Sequence, residues 1–164
     1  MSDTSNHFDA DGHAHMVDVS GKRVTVREAL ASGSVQMSIA TAELIRSGHS
    51  KKGDVLGIAR LAAIQSTKLT SQLIPLCHAI PVESVSVTFE WSEVEGTQNP
   101  VALRCEVRVR TSAKTGVEME AMTAASIGCL TIYDMVKSVE RGIEIGPIRL
   151  LEKSGGKSGE FRRS

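Results

Sequence analysis

The sequence predicts an α+β fold, a two-layer sandwich in which helices cover one face of an antiparallel sheet. Three observations carry that expectation. Residues 84–91 alternate, with Val85, Val87, Phe89 and Trp91 on one face and Ser84, Ser86, Thr88 and Glu90 on the other. Residues 101–110 repeat the pattern, setting Val101, Leu103, Cys105, Val107 and Val109 against Arg104, Glu106, Arg108 and Arg110. On either side of this strand pair runs a long stretch with helical spacing, 55–74 and 116–140. A period of two marks a half-solvated strand and a period near 3.6 a helix, so two helices and a hairpin are implied.

The remaining elements follow in order. Residues 1–14 are polar and aperiodic and are expected to form a disordered arm. A single α+β catalytic domain is expected over 15–153, with a flexible glycine- and lysine-rich tail at 154–164. Residues 24–34 open with Thr25 and carry Glu28 three positions on, a capping-box pattern that predicts a short helix ending near Gly33. Val35, Met37 and Ile39 alternate with polar neighbours and predict a short strand. A second short helix is expected over 41–47, stopped by Gly48. The segment GHSKKGD at 48–54 reads as a polar loop. The helix at 55–74 carries a broad apolar stripe and is stopped by Pro75. PLCHAIP, at 75–81, lies between prolines as an ordered turn. EVEGTQNP, at 93–100, turns the hairpin. After the helix at 116–140, Ile143 and Ile145 alternate. The phase then slips across Gly146-Pro147 to Ile148 and Leu150, as in a bulged edge strand.

Composition narrows the function. The 164 residues are 41% hydrophobic and 23% charged, ordinary for one globular domain. Nineteen basic and 19 acidic residues cancel, so net charge gives no support for a nucleic-acid or membrane-surface partner. Aromatics are only 3%, too few for base-stacking platforms. No apolar run has the continuity of a membrane span. The N-terminus MSDTSNHFDADGHAHM has neither an apolar signal region nor an Arg-rich amphipathic pattern. Cys77, Cys105 and Cys129 are odd in number and form no CxxC, which favours reduced thiols in a cytoplasmic protein.

Several residues invite both a structural and a chemical reading. Asp134 and Lys137 are three apart in the long helix, so they share a face. As an ion pair they contribute a few tenths of a kcal/mol. As an acid/base pair among Ile132, Tyr133, Met135 and Val136 they would be buried, with the carboxyl pKa raised and the ammonium pKa lowered. Lys51 and Lys52 lie in a glycine-flanked loop, either solvated or able to close on a phosphate. Lys153 and Lys157, in KSGGKSG, carry the same alternatives. Gly156-Lys157-Ser158 is not the end of a P-loop, because Leu151 stands where the first glycine belongs. Cys77-His78 lacks a third orienting group, so His78 alone is the better hydrogen-bonding or proton-transferring candidate. His13 and His15 lie in the arm. With scattered cysteines and no HExxH, no metal site is expected and no cofactor is required.

Glu118, Met119 and Glu120 open the long helix, where acidic residues suit its dipole. From Glu120 to Asp134 is about 21 Å along a continuous helix, at ~1.5 Å per residue. One small ligand cannot touch both ends in one chain. If both ends act, the site is shared between subunits.

Four segments together resemble the MoaC family: HMVDVSGK at 15–22, KKGDVLGIARLAAIQSTKLTSQLIPLCHAIP at 51–81, KTGVEMEAMTAASIGCLTIYDMVKSVE at 114–140 and IGPIRLLEKSGGKSG at 145–159. The resemblance covers nearly the whole chain from His15 to Gly159. It implies a ferredoxin-like subunit in a homohexamer, a trimer of dimers with active sites at dimer interfaces. It implies conversion of (8S)-3′,8-cyclo-7,8-dihydro-GTP to cyclic pyranopterin monophosphate with release of diphosphate, a lyase step in molybdenum cofactor biosynthesis. A radical-SAM GTP cyclase would act before it. By motif match Asp134, Lys137, Lys52 and His78 take the catalytic positions. Leu76, Cys77, His78, Met119, Glu120 and Lys153 take the substrate-binding ones. Rival readings are a non-catalytic nucleotide-binding or assembly module and a simple phosphohydrolase.

Overall fold

The computed structural model describes residues 7–9, 11–96 and 100–164. In chain order the elements are β1 (Thr25–Met37), α1 (Ile39–Arg46), α2 (Val55–Thr67), α3 (Thr70–Leu73), β2 (Ser84–Glu93), β3 (Val101–Ala113), α4 (Glu118–Val136), β4 (Glu144–Ile145), β5 (Arg149–Ser154) and β6 (Phe161–Arg162). One antiparallel sheet runs β2-β3-β1-β5-β6, and β4 pairs with β1. The path β1-α2-β2-β3-α4-β5 is a βαββαβ unit whose four strands lie in the spatial order 4-1-3-2. That is the ferredoxin-like arrangement, as the resemblance implies.

The two alternating stretches are strands in the predicted phase. Leu103, Cys105, Val107 and Val109 are fully buried, while Arg104, Arg108 and Arg110 are exposed. Across the β1–β3 pair, Ala29 faces Val109, Ala31 faces Val107, Gly33 faces Cys105 and Val35 faces Leu103. These residues form the floor on which α4 lies with Ala121, Ala124, Ala125, Cys129, Ile132 and Val136, all buried. On the bare face, Arg108 of β3 pairs with Glu28 of β1 and, at 3.5 Å, with Glu152 of β5; Glu152 meets Arg162 of β6 at 2.9 Å. Charge thus lines the solvated side of four neighbouring strands. The tail folds back: Phe161 pairs with Lys153, and Arg162 with Glu152.

The structure corrects several sequence expectations. Residues 24–34 are not a helix; they belong to the central strand β1, paired on both sides. Glu28, taken as half of a capping box, instead reaches across the sheet to Arg108. The alternation there was hidden because the inward residues Ala29, Ala31 and Gly33 are small, and alanine is an equally good helix former. Ile39 does not extend the strand: Ser38 caps α1, its hydroxyl oxygen accepting from the Thr41 N–H.

The helix at 55–74 is broken in two. The hydroxyls of Ser66, Thr67 and Thr70 donate to the carbonyls of Ala63, Ile64 and Ser66, and the backbone tightens at Lys68 and Leu69 into three-residue turns. The slip at Gly146-Pro147 separates β4 from β5. The bulge lies a little further on, where Leu30 faces Glu152 but Ala31 faces Leu150, leaving Leu151 extra. The first six residues of the expected arm, Ala10, and residues 97–99 of the hairpin turn lie outside the described residues.

Close approach of α4 to β1 depends on Gly33. A Cβ there would meet Cys129 Sγ and Ile148 Cδ1, both at 2.7 Å, and the Ala125 carbonyl oxygen at 3.3 Å. Gly33→Ala is therefore expected to cost about 1–3 kcal/mol through overpacking. A lower urea midpoint at unchanged m-value checks this; an unchanged midpoint would show that helix and sheet part without cost.

Candidate active site

The residues singled out from sequence gather at the two ends of α4, not at one place. At its C-terminal end, Lys137 Nζ donates to Asp134 Oδ1 at 2.6 Å. Lys52 reaches in from the loop before α2. Its Nζ donates to the Asp134 carbonyl at 2.6 Å and lies 3.4 Å from Oδ2. The ammonium thus caps one of the last free carbonyls of the helix, where positive charge is favoured. It is Lys52, next to Gly53, that makes this contact.

Burial does not tune this trio as expected. Asp134 and Lys137 side chains are 55% and 52% exposed. The apolar part of the last turn is carried by Ile132, Met135 and Val136, which face the core and leave Asp134 and Lys137 at the solvent edge. Pairing therefore dominates. The hydrogen bond and charge of Lys137, then those of Lys52, hold the Asp134 carboxyl below its ordinary range. Asp134 in turn raises Lys137. In this state Asp134 is an anion and Lys137 a cation.

At the N-terminal end of α4 burial rules. Glu120 is 2% exposed, and its Oε2 has no hydrogen-bond partner among the described residues. The Cys77 thiol donates to Glu120 Oε1 at 3.8 Å. Desolvation raises the Glu120 carboxyl pKa. Desolvation, reinforced by the Glu120 charge, pushes the Cys77 thiol up to about 11, so it is not a ready nucleophile. Beside it, His78 Nε2 lies 2.8 Å from the Val17 carbonyl; a carbonyl only accepts, so Nε2 carries the proton. Leu76 is half-buried, and Met119 is exposed next to Glu120. Lys153 Nζ donates to Ser158 Oγ at 2.7 Å and lies 3.5 Å from Glu118 Oε1.

Next to this cluster opens a cleft of about 680 Å³ lined by Lys22, Arg27, Lys114, Glu118, Lys157 and Ser158 among others. Sequence reasoning passed over three of these cations. Arg27 was hidden inside a supposed helix, while Lys22 and Lys114 stood in the family segments without a pattern of their own. Among the described residues, one group has metal-ligand character, Asp9, Asp11 and His13, all exposed. Asp9 Oδ1 already accepts from the Asp11 and His13 N–H groups, which accounts for that turn without an ion.

The buried acid sets a pH dependence. A carboxyl raised above its ordinary value of 4.5 binds its proton more tightly folded than unfolded. Its destabilising effect is absent in acid, grows as pH rises from there through the raised value, and is complete above it. Glu120→Gln removes the charge at equal size, so its thermal midpoint is expected to exceed that of the parent at pH 8 and to converge with it near pH 4. A gap that stays constant with pH would show that Glu120 is not held in a charge-averse site.

The sequence pattern of the MoaC family matches residues 16–156. The chain is 58% identical over 163 residues to a cyclic pyranopterin monophosphate synthase of Rhodopirellula baltica, covering 97% of this chain and 93% of that one. It is 54% identical over 160 residues to the protein of that name from Cereibacter sphaeroides, covering 96% of each. With similarity this high over nearly the whole length, the chain belongs to the MoaC family.

Proposed function

We propose that this chain is a cyclic pyranopterin monophosphate synthase of molybdenum cofactor biosynthesis, a lyase acting on (8S)-3′,8-cyclo-7,8-dihydro-GTP and releasing diphosphate. Identity of 54–58% to proteins of that name over nearly their full length carries the reading. A radical-SAM GTP cyclase would supply the substrate, and the step belongs in the cytoplasm. Among the described residues no helix is long and apolar enough to cross a membrane.

The geometry suits the chemistry. Closing a cyclic monophosphate on a triphosphate requires a hydroxyl oxygen to attack the α-phosphorus. The hydroxyl proton leaves, the α–β phosphoanhydride bond breaks, and diphosphate departs with the electron pair. Rearranging the purine-derived skeleton requires further proton transfers. Asp134, held ionised, is the proton acceptor, and Lys137 the donor or charge stabiliser. Lys52 steadies Asp134 and brings a second cation. Proton-bearing His78 and buried Glu120, with Leu76, Cys77 and Met119, form the recognition side, and Lys153 adds charge for the phosphates.

These groups lie at opposite ends of a 19-residue helix, so one chain holds two half-sites. We place each working site between two copies, in a homohexamer built as a trimer of dimers. The outer side of the helical layer suits such an assembly: Ile58, Leu61, Leu73 and Leu130 are 45–64% exposed.

Purified protein given the cyclised dihydro-GTP is expected to release diphosphate and form the cyclic monophosphate. Release of inorganic phosphate from ordinary GTP would favour a phosphohydrolase instead, and binding without turnover a nucleotide-binding module. Asp134→Ala and Lys137→Ala alter exposed positions and should change stability by no more than about 0.5 kcal/mol while lowering kcat by roughly 10²-fold or more. Retained turnover would make the pair structural. Mixing inactive Asp134→Ala and Lys153→Ala subunits is expected to restore up to about a quarter of parent activity in exchanged dimers. No recovery on proven exchange would place the whole site in one chain.

A further inference from the structure

We propose that the cleft between the N-terminal end of α4 and the loop at 155–159 is a polyphosphate subsite, in which Lys22, Arg27, Lys114 and Lys157 take the triphosphate and hold the departing diphosphate. The assignment rests on the function proposed above and adds the groups that receive its leaving group.

The protein has no net charge, yet four cations from separate parts of the chain meet in this one cleft. They come from the segment before β1, from β1 itself, from the turn after β3 and from the tail. Among the described residues none of the four forms an ion pair with a carboxylate, whereas Lys52, Lys137 and Lys153 each do. A cleft of about 680 Å³ is within the range of small-ligand sites.

Arg27 is the sharpest feature. It is 9% exposed, and its guanidinium is met only by neutral carbonyls: Ala113 and Gly155 at 3.4 Å, Lys114 at 3.2 Å. A buried cation satisfied in hydrogen bonds but not in charge is costly until an anion arrives. Those same carbonyls hold the cleft walls. The Lys114 backbone and the tail loop are both fastened to Arg27, and each presents its own lysine. Gly155 and Gly156 make this possible, with φ of +93° and +75°. A Cβ on Gly156 would lie 1.8 Å from Arg27 Nη1, and one on Gly155 would lie 2.1 Å from the Val26 carbonyl oxygen. The loop therefore lies directly on the guanidinium, and Lys157 follows it into the cleft.

One carboxylate shares the cleft, Glu118, drawn to Lys153 at 3.5 Å. Its single charge is outmatched by a bound triphosphate, which would compete for Lys153. The cluster acts on the bond-breaking step. As the α–β bond breaks, negative charge grows on the leaving diphosphate, and fixed cations around it stabilise that charge.

The test uses inorganic diphosphate and tripolyphosphate as probes on the intact protein, by calorimetry and as inhibitors of turnover. Both should bind, more weakly as salt rises. Lys22→Ala and Lys114→Ala should each weaken binding roughly tenfold, the equivalent of one charge-assisted contact, with an unchanged thermal midpoint. Lys51→Ala, on the exposed loop outside the cleft, should leave the affinity unchanged. Equal affinity for both probes in the folded Lys22→Ala/Lys114→Ala double variant overturns the assignment. The two claims fail separately. Probe binding that depends on these lysines, without conversion of the cyclised dihydro-GTP, refutes the proposed function alone. Conversion with unaltered KM and unaltered diphosphate inhibition in the double variant refutes the subsite alone.

Discussion

The closeness of α4 to β1 governs this molecule. Gly33, Ala29 and Ala31 offer almost no side chain on the strand side, and Ala121, Ala124, Ala125 and Gly128 offer little on the helix side. Backbones approach until the sulfurs of Cys129 and Cys105 fill the remaining space, near Gly33 and Gly128 respectively. Such packing has few ways to relax, because interiors are already as dense as organic crystals. The helix is therefore fixed relative to the sheet along its length, and its two ends inherit that fixity. Groups at either terminus are held by a rigid rod, as sites on regular elements generally are.

The two ends use different electrostatics. Around Asp134 the chain relies on opposite charges held close in solvent, which favours the ionised forms of both partners. Around Glu120 it relies on exclusion of water, which favours a neutral carboxyl and a neutral thiol. Arg27 adds a third arrangement, a permanent cation that cannot lose its proton and so stays charged in a buried place. A reaction that moves protons at one point and displaces an anionic group at another needs all three kinds of environment.

Much of this was legible in the residues themselves. The strands β2 and β3 were plain because large apolar and charged residues alternate in them. The long helix was plain because its apolar residues cover most of its circumference. β1 was misread because its inward positions are alanine and glycine, whose size suits close packing and whose sequence signal is that of a helix. The split after Thr67 was missed because serine and threonine act there through hydroxyl bonds to the helix's own carbonyls, which spacing does not reveal. The family segments named the right site residues, and the distance along α4 correctly separated them into two groups. Exposure of Asp134 was not legible: it depends on which side of the last turn meets the core. Nor was the cleft, since Lys22, Arg27 and Lys114 approach one another only after β1 and β3 pair.

A rod with a half-site at each end also sets an evolutionary limit. Each residue added to α4 would push the ends apart by about 1.5 Å and rotate one against the other by roughly 100°. A single insertion would thus swing Asp134 away from Lys52 and into or out of the core. Substitutions on this helix can drift, but its length cannot, because length here acts as a phase. The loops at 48–54 and 155–159, which hang their lysines on fixed points, carry no such count.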